Sequence, residues 1–197
     1  MADMNRREII GLLATAPLAA RFPWTAESVR EASARAREAL ARGTPYEPKQ
    51  FTAHEWETVR VLVDLIIPKD ERSGSATEAG VPEFMDFMLG DDPELQTPVR
   101  GGLAWLDHEC DDRYGKTFVA CTAGERGAVL DAIAWPVKAK PAHAAGVVFF
   151  NRFRDLTASG FFSSRMGVQD LRYVGNTFVS EWKGCPPEAL AKLGVTY

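Results

Sequence analysis

Three histidines, His54, His108 and His143, and three cysteines, Cys110, Cys121 and Cys185, are the side chains of this chain best suited to hold a metal or to serve as base or nucleophile. A structural or catalytic zinc needs three or four such ligands at recognisable spacing. No CxxC pair occurs, and His108 and Cys110, two apart on a predicted helix, point in different directions. His54 falls between Thr52 and Glu55 in the first turn of a predicted helix, where a solvated imidazole is expected, and His143 follows Pro141 at another helix start. The carboxylate pairs Asp91-Asp92 and Asp111-Asp112 are adjacent rather than facing, so they read as caps or solvated faces instead of an acid and base pair. The chain has no G-x-S-x-G elbow, no Walker loop, no G-x-G-x-x-G and no C-x-x-C-H. Neither a catalytic, a cofactor-binding nor a metal-binding residue is therefore assigned.

The elements that would position such groups are helical. Thr52 and Glu55 form a T-x-x-E capping box, followed at helical spacing by Trp56, Val59, Leu62, Val63, Ile66 and Ile67, and Pro68 ends the run because it has no N–H to donate. Thr122 and Glu125 repeat that box before Val129, Leu130 and Ile133, with Trp135-Pro136 closing the helix. Leu95, Val99, Leu103, Leu106, Cys110 and Tyr114 trace a long amphipathic helix in spite of Gly101-Gly102, and residues 143–162 support another that ends near Gly160. Pro82 opens a short helix that Gly90 closes. Residues 25–43 carry a mostly alanine stripe, Val29, Ala32, Ala36 and Leu40, before Gly43; such a face buries little and must lie on something else. No stretch alternates with a period of two. The expected fold is all-α, an irregular multi-helix bundle of about six or seven helices. The tail from residue 163 interleaves Gly167, Gly175, Gly184, Pro186 and Pro187 with Tyr173, Phe178 and Trp182, which predicts an extended Gly/Pro/aromatic-rich C-terminal strap that packs on a partner or on its own helices.

Composition narrows the setting. A chain of 197 residues, 46% hydrophobic and 25% charged, can bury a real core, and a net charge of −4 leaves no basic footprint for nucleic acid. The three cysteines read as small buried hydrophobes. At the N-terminus, Arg6 and Arg7 precede an apolar run over residues 9–20 that is too short to span a bilayer, which takes about 20 residues. This is the plan of a twin-arginine (Tat) export signal; the same residues would also suit an amphipathic arm, and no clean A-x-A cleavage site follows. The boundaries expected are residues 1–24 for the signal or arm, 25–50 for an amphipathic helix and linker, and 51–197 for the main helical domain.

In the tail, Gly160-Phe161-Phe162, Gly167-Val168, Asp170-Leu171, Tyr173, Gly175-Asn176, Trp182 and Gly184 with Pro186-Pro187 form a pattern that resembles the C-terminal signature of the gluconate 2-dehydrogenase subunit 3 family. The stretch from residue 51, in which a helix ends at Ile67-Pro68 and a polar loop with Ala79-Gly80-Val81 leads to the next, resembles the same family's N-terminal half. The resemblance implies a non-catalytic small subunit of a periplasmic, membrane-associated dehydrogenase. It implies a large partner that is an FAD-dependent oxidoreductase of the glucose-methanol-choline type acting on a sugar or sugar acid, with FAD in the partner and no cofactor in this chain. A multihaem c-type cytochrome subunit commonly takes the electrons, and the small subunit supplies the Tat signal for the flavoprotein. The Gly-Cys-Pro-Pro form is associated with dehydrogenases acting at the 3-position of glucosides. On this reading Arg6 and Arg7 address the Tat translocase, and the partner interface is assigned to Phe161, Phe162, Asp170, Tyr173, Asn176, Trp182, Pro186 and Pro187, aromatics being enriched at interface cores. Burial of those aromatics within their own subunit is the competing reading. The other function considered is an independent helical enzyme or small-molecule binder, for which Asp170, Arg172 and Asn176 are the local polar candidates.

Overall fold

The computed structural model describes residues 24–172, 180–181 and 184–195. Among them the chain is all-helical, with eight α-helices and no strands: α1 (Ala26–Ala41), α2 (Ala53–Ile66), α3 (Val81–Asp91), α4 (Gln96–Tyr114), α5 (Ala123–Ala134), α6 (Ala144–Ser163), α7 (Arg165–Asp170) and α8 (Pro187–Leu193). Single 3-10 turns, Pro93–Leu95 and Pro141–His143, lead into α4 and α6.

The helix starts are written locally. Thr25, Thr52 and Thr122 each close a reciprocal capping box, with Ser28, Glu55 and Glu125 respectively as the returning side chain. The box at Thr25 uses serine where the usual partner is Glu or Gln. Helix α2 stops at Ile66 ahead of Pro68, as its sequence dictates.

Helix α3 is the centre of the bundle. Val81, Phe84, Met85, Met88 and Leu89 are all buried, on more than one side of the helix, because α1, α2 and α6 pack around it. The alanine stripe of α1 finds its partner here: Ala32, Ala36 and Ala39 are buried, and α1 makes its closest packing with α3. Ala32 and Ala36 belong to the same continuous core as Phe84, Leu103, Phe153 and Phe161. Full burial of each of those large side chains contributes about 1.5–3 kcal/mol.

Helix α6 runs past Gly160, the expected stop, to Ser163. The glycine does a steric job inside the helix: a Cβ there would lie 2.6 Å from the Phe84 ring, so Gly160 lets α3 and α6 approach. In the tail, where an extended strap was expected, α7 and α8 are short helices. Ser164 caps α7 by accepting from Gly167 N at 3.1 Å, and Pro187 occupies the first turn of α8, where its missing N–H costs nothing. Cys110 and Cys121 are buried side by side, and burial together with Cys121 pushes the Cys110 thiol up to about 12. Cys185, expected to be buried, is exposed beside the paired prolines that start α8.

Glu83, in the first turn of α3, is 9% exposed, and its Oε2 is buried with no hydrogen-bond partner. Burial holds its carboxyl above the usual range; the Arg60 charge pulls the other way and Asp86 adds to the rise. The folded chain thus binds this proton more tightly than the unfolded chain. Stability is full below the ordinary glutamate value of 4.5 and is lost as pH rises through the folded value. Glu83→Gln is expected to stabilise the fold by on the order of 1 kcal/mol at pH 7 and to give no gain at about pH 4. Urea unfolding at both pH values checks this; an equal gain at both would exclude ionisation as its source.

Candidate functional site

The side chains assigned to a partner surface gather where α6 ends and α7 turns back. Phe161 points inward and is 1% exposed, which takes it off the surface: its ring fills this chain's own core. Phe162, one residue on, diverges from it by the helical turn and stands 41% exposed, with its ring edge-on to Phe161 at a centroid distance of 5.2 Å. Ser163 ties this end of α6 to α1 through an Oγ–Oγ hydrogen bond with Ser33 at 2.5 Å. Ser164 Oγ donates to Phe161 O at 2.6 Å, which fixes the reversal into α7. Gly167 makes the reversal possible, since a Cβ there would overlap the Phe161 carbonyl and come within 2.8 Å of Phe162 Cα.

The loop after α2 completes the site. Asp70 Oδ1 accepts from the backbone N–H groups of Ser73 and Arg72, each at 2.8 Å, and these bonds hold its carboxyl below the usual range. The turn so formed presents Arg72, whose guanidinium donates to Asp170 O at 2.7 Å and lies 2.9 Å from the Asp170 carboxylate. That carboxylate oxygen is buried and in ion-pair reach, though not aligned for a hydrogen bond. Asp170 is therefore engaged within its own chain, fastening α7 to the loop. Just after it, Arg172 adopts a left-handed backbone with φ of 52°, a conformation that costs a non-glycine residue roughly 1–2 kcal/mol.

Around Phe162 the structure adds two apolar residues that were not assigned to the interface, Val168 and Leu171, which are 37% and 57% exposed. Val168 lies on α7 and Leu171 is its C-cap, still with helical backbone angles, so the two, three residues apart, share a face, and with Phe162 they mark an open apolar end of the bundle. The signal for them was present in the sequence as two apolar residues three apart, but six helical residues are too few to reveal a period. Pro186 and Pro187 are exposed at the start of α8. Arg6, Arg7, Tyr173, Asn176, Phe178 and Trp182 lie outside the described residues.

Each histidine faces a carboxylate rather than another histidine. His54 Nε2 lies 2.6 Å from Asp107 Oδ2, and Asp107 Oδ1 accepts from Phe118 N at 2.9 Å. A carboxylate orienting an imidazole is one part of a nucleophile triad, but no serine or cysteine hydrogen-bonds to this imidazole among the described residues. His54 is thus held across α2 and α4 instead of being simply solvated. His143 lies 3.4 Å from Glu109, and His108 lies 3.7 Å from Asp112. Asp92 caps the 3-10 turn by accepting from Glu94 N, and Asp91 pairs with Arg35. Among the described residues no three His, Cys, Asp or Glu side chains come together to hold a metal.

What the geometry offers is a helical platform with an open apolar end, where the loop after α2 meets Asp170 of α7. A family model for gluconate 2-dehydrogenase subunit 3 matches residues 53–181 of the 197. The chain belongs to that family. No curated protein and no solved structure is similar enough to this chain to be matched. As a member of the gluconate 2-dehydrogenase subunit 3 family, it is a small subunit of a dehydrogenase complex. The match begins at the start of α2 and runs through α7, so it takes in both sides of the Arg72–Asp170 contact, while α1 lies ahead of it. Among the described residues no helix is long and apolar enough to cross a membrane.

Proposed function

We propose that this chain is the non-catalytic small subunit of a periplasmic, FAD-dependent sugar or glucoside dehydrogenase of the glucose-methanol-choline type. It stabilises the flavoprotein and carries it through the Tat pathway. The observation that carries this reading is the family match over residues 53–181 behind a leader with Arg6-Arg7. A flavoprotein folds around FAD in the cytoplasm, and the Tat route accepts folded cargo, so one signal on a bound small subunit serves both chains. The open apolar end at Phe162, Val168 and Leu171 supports a partner surface in the tail; Tyr173, Asn176, Trp182, Pro186 and Pro187 belong to the same proposed surface. Asp170 contributes to it by positioning, since its own bonds to Arg72 hold α7 in place.

Changing both Arg6 and Arg7 to Lys is expected to leave this chain and its flavoprotein in the cytoplasm. Cell fractionation followed by immunodetection of both chains, with FAD fluorescence in each fraction, reads the outcome. A flavoprotein that still reaches the periplasm at the normal level would overturn the carrier role.

A further inference from the structure

A second face lies toward the other end of α6, where Val148 stands about 20 Å along the helix from Phe162. Here α4 and α6 press together because two glycines leave room for rings: a Cβ on Gly102 would overlap Phe149, and one on Gly146 would lie 2.5 Å from Trp105. Their close approach forms a shallow cleft of about 380 Å³, walled by Trp105, Phe149 and Val148, with Gly101 opening it to solvent. Val148 is 64% exposed. One turn further along α4 the cleft meets another of about 410 Å³, lined by Arg113, Lys138, Lys140, His143 and Glu109. Trp105 joins the two, standing edge-on to the His143 ring at 6.2 Å. At the far rim Trp135 is 60% exposed and Val137 fully so, with the Lys138 ammonium 5.7 Å from the Trp135 ring centre.

The charges on this strip are out of balance. Glu109 is the one carboxylate lining either cleft, and it is engaged by Arg113 and His143. Lys138, Lys140 and, at the apolar end, Arg152 have no carboxylate partner among the described residues. Yet the chain as a whole carries −4. An apolar trough with surplus cations along one side fits a segment with apolar residues on one face and carboxylates beside them. The chain's own N-terminal segment has the wrong sign for it, with Arg6, Arg7 and Arg21 against Asp3 and Glu8.

We propose that the α4–α6 face docks an acidic amphipathic segment of the dehydrogenase large subunit, its apolar side chains seated between Trp105 and Val148 and its carboxylates on Lys138 and Lys140. This rests on the small-subunit reading above and adds a second contact to it, so that the partner is gripped at both ends of α6. The test uses the full chain co-expressed with its large subunit. In one arm, Lys138→Glu with Lys140→Glu is compared with Lys138→Arg plus Lys140→Arg; all these side chains are exposed, so the melting temperature of the isolated chain is expected to stay unchanged. Charge reversal is expected to lower recovery of the complex at least about tenfold, more at low salt than at high, while the arginine pair retains it. In the other arm, a benzoylphenylalanine photo-cross-linker at Val148 is expected to capture a large-subunit peptide rich in Asp and Glu. Undiminished recovery from the charge-reversed pair overturns the docking face. So does a cross-link to residues 1–23 or 173–183 of the same chain, to a second copy, or to nothing within a complex that forms. If the unaltered chains form no complex, the small-subunit reading falls with it; if they do, that reading stands on its own.

Discussion

Asp86→Ala is expected to destabilise the chain by about 3–4 kcal/mol, a large share of the stability of a domain this size. Asp86 sits in the buried helix α3 and is 2% exposed. Its carboxylate accepts from the Tyr46 hydroxyl at 2.8 Å, from Lys49 N at 3.0 Å and from Gln50 N at 2.8 Å. These three donors belong to the segment joining α1 to α2, which has no helix or strand to satisfy its backbone. Without the carboxylate, two N–H groups and a phenol lose their acceptor in a partly closed space, and the segment must open to water. Burial, aided by the hydrogen bond to Asp86, already holds the Tyr46 phenol well above its ordinary range, so this hydroxyl stays a donor at any working pH. Graded variants separate the contributions. Tyr46→Phe removes one bond and is expected to cost about 1 kcal/mol, and Asp86→Asn keeps one acceptor oxygen but loses the charge, with a cost of about 1–2 kcal/mol. Urea unfolding measures all three. An Asp86→Ala cost no larger than that of Tyr46→Phe would mean that the segment is not anchored through this carboxylate.

The neighbouring glycines of α4 are expected to respond with opposite signs. Gly101→Ala should stabilise by about 0.5–1 kcal/mol, because a Cβ there meets nothing within 4 Å and alanine removes the backbone freedom that glycine loses on folding. Gly102→Ala should destabilise by about 1–3 kcal/mol, because its Cβ would overlap the Phe149 ring, which is 5% exposed and already packed on Phe153 at a centroid distance of 5.4 Å. The helix propensity gained is the same in both variants, so the difference between them isolates the α4–α6 contact. Thermal unfolding of the two single variants reads it directly. A stabilising Gly102→Ala would show that α6 can move away at little cost, and it would remove the steric basis of the cleft between these helices.

The glycine pair also shows how far a sequence can be read. Both residues weaken a helix by propensity alone, and the apolar spacing of Leu95, Val99, Leu103, Leu106 and Cys110 was enough to predict the helix across them. That one of the pair lies under a phenylalanine and the other in solvent depends on a partner helix some 45 residues later, which no local pattern encodes. Gly160 failed as a stop signal for the same reason: glycine marks helix ends by its backbone freedom, but it also marks places where a ring must pass. Phe161 and Phe162 were equivalent as aromatic residues in a tail; the helical turn sends one into the core and the other out.

What the sequence determined by itself are the properties carried by neighbours within a turn or two. The capping boxes at Thr52 and Thr122, the stop before Pro68 and the absence of period-two alternation are all of this kind, because they rest on bonds and repeats spanning a few residues; membership of the gluconate 2-dehydrogenase subunit 3 family, matched over residues 53–181, is likewise carried by the sequence alone. Only the tertiary structure decided which partners meet across long separations. It set Arg72 on Asp170, Tyr46 on Asp86 and His54 on Asp107, it buried Phe161, and it left Val148, Trp135 and Lys140 facing solvent on one strip. The reason is physical: a helix's composition states that it has an apolar face, while the residues that cover that face are chosen by packing, where volume and charge from remote segments must fit in the same space.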